Sequence, residues 1–127
     1  MSQDSITIGD AELEIMKVIW KAGVPINSTS ISEAVKDKGW KRTTISTFLA
    51  RLVEKGALSA EKKGKLFYYT PLISARSYKK SQIKAMIKNL FDGSAGALAV
   101  SLFEDEKFTD KDLRELKAIF EDKENKL

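Results

Sequence analysis

The sequence predicts a mostly α-helical protein with one small β-hairpin, ordered helix, helix, helix, hairpin and then further helices. Three observations predict it. Ile45, Phe48, Leu49 and Leu52 stand at i, i+3, i+4 and i+7, the spacing of one buried helix face. Leu66-Phe67-Tyr68-Tyr69-Thr70, rich in aromatic and β-forming residues, follows a glycine turn, Lys62-Lys63-Gly64-Lys65. The chain has 127 residues, of which 43% are hydrophobic. That is about one domain, or two small ones sharing a core, with roughly two-thirds of the unfolded surface buried.

The elements follow in order. Asp10 is a candidate N-cap for a first helix from Ala11 to about Ala22; Gly23 suits its left-handed end and Pro25 bars continuation. Leu13, Ile15, Met16, Val18, Ile19 and Trp20 surround that helix with apolar side chains, so most of its circumference should be buried. Val24 to Ile26 reads as a short extended piece. Asn27-Ser28-Thr29-Ser30 is a run of capping residues, and Ser30-x-x-Glu33 fits a capping box. The second helix presents Ile31, Ala34 and Val35 and ends before Gly39. After Gly39-Trp40-Lys41-Arg42 the third helix begins at Thr43, and Gly56 closes it. In the hairpin, Leu58, Ala60 and Lys62 alternate on the first strand, Tyr68 and Tyr69 are expected in strand and core, and Pro71 ends the second strand.

The last third is helical with a different texture. Ser74 to about Phe91 forms one amphipathic helix with Ile83, Met86, Ile87 and Leu90 apolar and its lysines opposite. Asp92-Gly93-Ser94-Ala95-Gly96 is a turn or a loose helix start. Leu98, Val100, Leu102 and Phe103 belong to a short fifth helix, and Thr109-x-x-Asp112 caps a sixth with Leu113, Leu116, Ile119 and Phe120 on one stripe. The order is that of a winged helix-turn-helix over 1–73, followed by a helical dimerisation region over 74–127. A second copy is the simplest cover for Ile83, Ile87, Leu90, Leu98, Leu102, Phe103, Leu113, Leu116 and Phe120; folding back as a monomer is the alternative.

Composition narrows function. There is no Cys and no His. Disulfides, thiolate nucleophiles, zinc knuckles, imidazole bases and nearly all catalytic zinc sites are thereby excluded. None of the 7 Gly forms a GxGxxG or GxxxxGK phosphate loop. No catalytic residue, cofactor or metal is expected. Glu104-Asp105-Glu106, the one carboxylate cluster, reads as a solvated loop. Met1 to Asp10 lacks the features of a secretory signal and no apolar run approaches a membrane span, so a soluble cytoplasmic protein without membrane insertion is expected.

The 22 Lys and Arg exceed the 18 Asp and Glu by only +4, yet the charges are segregated. Lys36 to Lys65 holds nine bases and three acids, Arg76 to Lys88 five bases and no acid, and Glu104 to Leu127 nine acids and six bases. This pattern suggests a polyanion-binding N-terminal part; solvated helix faces are the plainer alternative. Opposite its apolar stripe the third helix carries Thr44, Thr47 and Arg51, flanked by Thr43, Ser46 and Ala50, with Lys41 and Arg42 at its start. A helix exposed only to water favours Glu, Lys and Gln, whereas one pressed into a DNA groove needs short side chains. Hydroxyls can touch base edges, the helix start attracts phosphate, and Arg51 suits either a phosphate or a guanine. Lys62, Lys63 and Lys65 read as a wing on the phosphate backbone or, alternatively, as an edge that blocks strand pairing. Trp40 packs beneath the turn or lies against a sugar-phosphate backbone, and packing is the stronger expectation.

These residues resemble a known family. Ile8-Gly9-Asp10-Ala11-Glu12-Leu13-Glu14-Ile15-Met16-Lys17-Val18-Ile19-Trp20 is similar to the start of penicillinase repressors, the BlaI/MecI/CopY group. So are Gly39-Trp40, then Thr43 to Gly56, and Lys63-Gly64-Lys65 followed by Phe67-Tyr68-Tyr69. The likeness spans essentially the whole chain and is strongest through residue 73. It implies a homodimeric repressor on an inverted-repeat operator that excludes RNA polymerase from β-lactamase or β-lactam-resistance promoters. It puts Thr44 and Thr47 on base-reading positions and Arg51 on a backbone anchor; some members carry Arg where Ser46 stands here. Copper-responsive members end in Cys-x-Cys pairs, absent here. β-Lactam-responsive members are cut by a membrane sensor protease at an Asn-Phe bond in the fifth helix; alignment puts Ser101-Leu102 there, without that sequence. Two other readings are a winged-helix module that docks proteins and a repressor of an unrelated regulon.

Overall fold

The computed structural model describes residues 6–104 and 108–125, with side chains described except at Leu116 and 119–125. Asp105 and Glu106, and the side chains of Leu116, Ile119 and Phe120, therefore lie outside the described part. The helices are α1 (Asp10–Ala22), α2 (Ser28–Ala34), α3 (Arg42–Glu54), α4 (Ala75–Leu90), α5 (Ala95–Glu104) and α6 (Asp110–Asn125). The strands are β1 (Ile26–Asn27), β2 (Leu58–Lys63) and β3 (Leu66–Pro71), in the antiparallel order β1-β3-β2. The chain divides into two compact units within α4, one up to Gln82 and one from Ile83 onward.

The first unit is the predicted winged helix. Its core gathers Ile15, Met16 and Ile19 of α1, Ile31 of α2, Ile45, Leu49 and Leu52 of α3, then Ala57, Leu58 and Ile73. The i, i+4, i+7 stripe of α3 is thus buried as its spacing requires, with Phe48 half-buried beside it. Trp40 packs edge to face on Phe48 at 5.3 Å, the packing role expected of it. A left-handed Gly56 (φ 84°) ends α3. There the Ala57 N–H reaches the Leu52 carbonyl (2.9 Å) and the Gly56 N–H that of Val53 (3.0 Å), a Schellman turn that leads directly into β2. The Leu72 N–H closes the base of the hairpin on the Ala57 carbonyl at 2.8 Å.

Several local expectations are corrected. The first N-cap is Gly9, with Asp10 already helical, because the Glu12 carboxylate reaches back to the Gly9 N–H at 2.8 Å. The cap of α2 is Asn27, whose Oδ1 accepts from the Ser30 N–H at 2.8 Å; Ser30 is inside the helix and Glu33 pairs with Lys36 instead. Asn27 is available because pairing with Tyr68 holds it extended, in a β1 strand that local pattern did not announce. On β2 only Leu58 is buried, since the hairpin runs outward beyond the core, and for the same reason Tyr68 and Tyr69 are half-buried. On α4, Tyr78 and Ser81 form a second buried side. The Tyr78 ring lies 6.0 Å from Trp20, whose indole N–H donates to the Ile73 carbonyl at 2.9 Å. The lysines of α4 consequently lie on a flank instead of opposite its apolar stripe.

In the second unit the capping box of α6 forms as predicted, Thr109 and Asp112 exchanging bonds of 3.1 Å. The Ser94 hydroxyl caps α5, accepting from the Ala97 N–H at 3.0 Å. Ile83, Leu90, Val100 and Phe103 are exposed, Leu90 at 72% and Phe103 at 67%. Met86, Ile87, Leu98, Leu102 and Leu113 are half-buried.

One buried charge ties α1 to α3. Glu12 lies in the core of the first unit, and its Oε1 accepts from the Gly9 N–H and, at 2.6 Å, from the Lys55 ammonium that ends α3. Its Oε2 is buried without a hydrogen-bond partner among the described residues. Burial raises the carboxyl, but the bonds from Lys55 and Gly9 and the positive charges of Lys55 and Arg51 outweigh it and hold its pKa below the usual 4.5. Glu12→Gln keeps an acceptor for Gly9 and leaves Lys55 unpaired. It should cost about 1–3 kcal/mol at neutral pH, less than a fully buried pair because Lys55 is partly solvated. A carboxyl whose pKa is lower folded than unfolded stabilises fully above the unfolded value and loses this as pH falls through the folded one. The gap between wild type and variant in urea midpoint should therefore be widest near neutrality and close on the acid side of the carboxylate range. A gap independent of pH would mean the charge of Glu12 contributes nothing.

Candidate nucleic-acid interface

The exposed side of α3 is set by what its other side buries. With Ile45, Leu49 and Leu52 inward, the 100° step of a helix places Thr43, Thr47, Ala50 and Arg51 outward, Ser46 beside them, and all five are exposed. Thr44 instead falls next to Phe48 and is half-buried. The outward threonine pair is thus Thr43 and Thr47, and the Thr47 hydroxyl donates to the Thr43 carbonyl one turn back at 2.9 Å. The surface is low: two threonines, a serine and an alanine, with Arg51 the one long side chain.

Lys41 is the N-cap of α3 in extended conformation, with no side-chain hydrogen bond to the first turn and no acid in that turn. The first amide N–H groups of the helix stay open toward the exposed Lys41 and Arg42, an arrangement that favours anions. At the hairpin tip, β2 and β3 pair from Leu58 with Pro71 to Lys63 with Leu66, leaving Gly64-Lys65 as the turn, with Gly64 left-handed at φ 65°. Lys62, Lys63 and Lys65 are exposed, and the Lys63 ammonium stands 5.8 Å from the Tyr68 ring centre.

The ion pairs sort the nine cations between Lys36 and Lys65. Lys36 pairs with Glu33 at 2.8 Å, Lys38 with Glu14 at 3.8 Å, and Lys55 with Glu12. Lys41, Arg42, Arg51, Lys62, Lys63 and Lys65 form no ion pair among the described residues. The six unpaired cations are the six singled out from the sequence, clustered on α3 and the hairpin tip. Sequence reasoning missed Glu12 and Lys55, which hold the end of α3; a lone acid in the apolar pattern of α1 was the available signal. Among the described residues no three acidic side chains gather where a metal could bind. Ser101 and Leu102 lie within α5, Ser101 exposed and Leu102 half-buried.

Comparison with known proteins agrees with this geometry. Residues 8–122 match the family described as penicillinase repressor. The penicillinase repressor of Bacillus licheniformis is 34% identical over 119 residues, covering 94% of this chain and 93% of that protein. The methicillin resistance regulatory protein MecI of Staphylococcus aureus (strain N315) is 28% identical over 123 residues, covering 97% and 100%. The solution structure of the DNA binding domain of the repressor BlaI superposes with a TM-score of 0.53 at 46% identity, over 61% of this chain and 94% of that one. The likeness covers nearly the whole length of both curated relatives and includes the winged helix itself; the chain belongs to the penicillinase repressor family, whose members are transcriptional repressors and not enzymes.

Proposed function

We propose that the chain is a cytoplasmic repressor that binds an inverted-repeat operator as a homodimer and excludes RNA polymerase from β-lactamase or β-lactam-resistance promoters. The observation that carries this reading is the grouping of six unpaired cations around the low hydroxyl face of α3 and at the hairpin tip. α3 enters the major groove, where Thr43, Ser46 and Thr47 meet base edges and thymine methyls, with Thr44 at the margin. Lys41, Arg42 and the open amides of the first turn hold a phosphate, Arg51 holds a phosphate farther along, and Lys62, Lys63 and Lys65 follow the backbone as a wing. The likeness to a penicillinase repressor and to MecI supports the regulon.

The second unit serves dimerisation. Ile83, Leu90 and Phe103 are exposed apolar side chains, and Ile87, Leu98, Leu102 and Leu113 half-buried ones, on helices of a unit too small to cover them. Leu116 and Phe120 complete the same surface on α6. Two half-site readers joined this way bind at high effective concentration. Cleavage at Ser101-Leu102 by a membrane sensor protease would end that coupling; the bond lies inside α5, so the helix must open before a protease can take it in extended form.

Anisotropy titrations of an inverted-repeat duplex from the chain's own upstream region, beside a scrambled duplex and over a range of salt, test the reading. Thr47→Ala should lower the preference for the inverted repeat by roughly 5- to 100-fold, or about 1–3 kcal/mol, with little change on scrambled DNA. Lys63→Ala should weaken both duplexes alike and reduce the salt slope by about one; a changed sequence preference would remove Lys63 from the wing's backbone contacts. Leu90→Glu alters a side chain that is 72% exposed and should leave the fold intact. It should shift sedimentation equilibrium toward monomer and weaken operator binding by about two orders of magnitude; an unchanged dimer would place the interface elsewhere.

A further inference from the structure

Among the described residues α4 is the only α-helix without an acidic side chain; its charges are Arg76, Lys79, Lys80, Lys84 and Lys88. All five are exposed and none forms an ion pair among the described residues. Arg76, Lys80, Lys84 and Lys88 are four residues apart, so they form one row that drifts about 40° per step and runs roughly 18 Å along the helix. Each successive pair is like-charged at i, i+4, a repulsion that a merely solvated helix avoids by alternating signs. The rest of the chain does alternate them: Glu14 stands beside Lys17, Glu33 beside Lys36, and α6 opens Asp-Lys-Asp-Leu-Arg-Glu. The row also lies apart from both apolar sides of α4, on the flank between Tyr78 and Ser81 on one side and Met86 and Leu90 on the other.

We infer that the α4 row is a second phosphate-binding surface, which takes the backbone of duplex DNA next to the stretch read by α3 and the hairpin. The inference rests on the DNA-binding reading above and extends it to a part of the chain that the winged helix does not use. A polyanion removes the repulsion along the row, and the released counterions supply affinity without sequence preference. With one charge per ~3.4 Å of axis on a single strand, a row of roughly 18 Å faces about five phosphates, close to the number of cations in it.

The test uses the full chain with Lys80→Gln, Lys84→Gln and Lys88→Gln combined; Gln matches Lys in helix propensity, and circular dichroism checks the fold. The probe is an inverted-repeat duplex with long flanks, titrated over a range of salt beside a scrambled duplex of the same length. The expected result is a salt slope shallower by about two to three, at about 0.9 per lost phosphate contact, with the preference for the inverted repeat unchanged. Arginine at the same three positions should restore the slope. An unchanged slope overturns the inference. So does a variant that turns monomeric in sedimentation equilibrium, which would make the row an interface between copies. Loss of binding only to phosphatidylglycerol–phosphatidylcholine vesicles would do the same. Failure of the wild type to prefer the inverted repeat removes the DNA-binding reading itself and this one with it.

Discussion

Burial of Ile45, Leu49 and Leu52 among the side chains of α1 determines which residues of α3 face outward, and the candidate interface depends on that rotation. A helix has one azimuth per residue, so fixing three apolar positions fixes all the others. Thr43, Ser46, Thr47 and Ala50 are outward because their neighbours at the helical spacing are inward. The end of α3 is held independently by the Schellman turn at Gly56 and by the Lys55–Glu12 bond. Helix rotation, helix end and hairpin base are therefore set by contacts within a few residues of Leu52, Lys55 and Ala57.

Charge is divided along the same lines. Cations that face a carboxylate across an element boundary become part of the scaffold, as Lys55 does with Glu12 and, more loosely, Lys38 with Glu14. Cations with no carboxylate in reach lie on the exposed side of α3, at the hairpin tip and along α4. A net charge of only +4 thus coexists with locally strong positive surfaces, because the compensating acids are concentrated in the last quarter of the chain. This separation suits a molecule that meets polyanions with one part and its own second copy with another.

The two units differ in how far they satisfy themselves. The first closes a core of fully buried aliphatic side chains around α1, and its buried backbone and indole groups find partners, as Trp20 does with Ile73. The second leaves Ile83, Leu90, Val100 and Phe103 exposed, with no fully buried side chain described in α5. An amphipathic helix is stabilised mainly by what it packs against, so such a unit has its natural complement outside the single chain.

Features that depend on near neighbours were legible in the sequence. Gly23, Gly39, Gly56 and Gly64 adopt the left-handed turns expected where helices end and the hairpin reverses, because a residue without Cβ tolerates positive φ at no steric cost. The α3 stripe, the Thr109–Asp112 capping box and the basic hairpin tip are equally local. Tertiary contacts decided the rest. Ser30 and Asn27 were both competent caps, and Asn27 won because strand pairing with Tyr68 holds it extended. Thr44 and Thr43 were both short hydroxyl residues at the start of α3, and proximity to Phe48 turned Thr44 to the margin. Lys55 was one cation among nine until folding brought it to a buried Glu12, 43 residues earlier. The sequence alone thus determined which elements form and where they end; only the folded chain decided which of several equivalent polar side chains remain free, since that depends on partners distant in sequence.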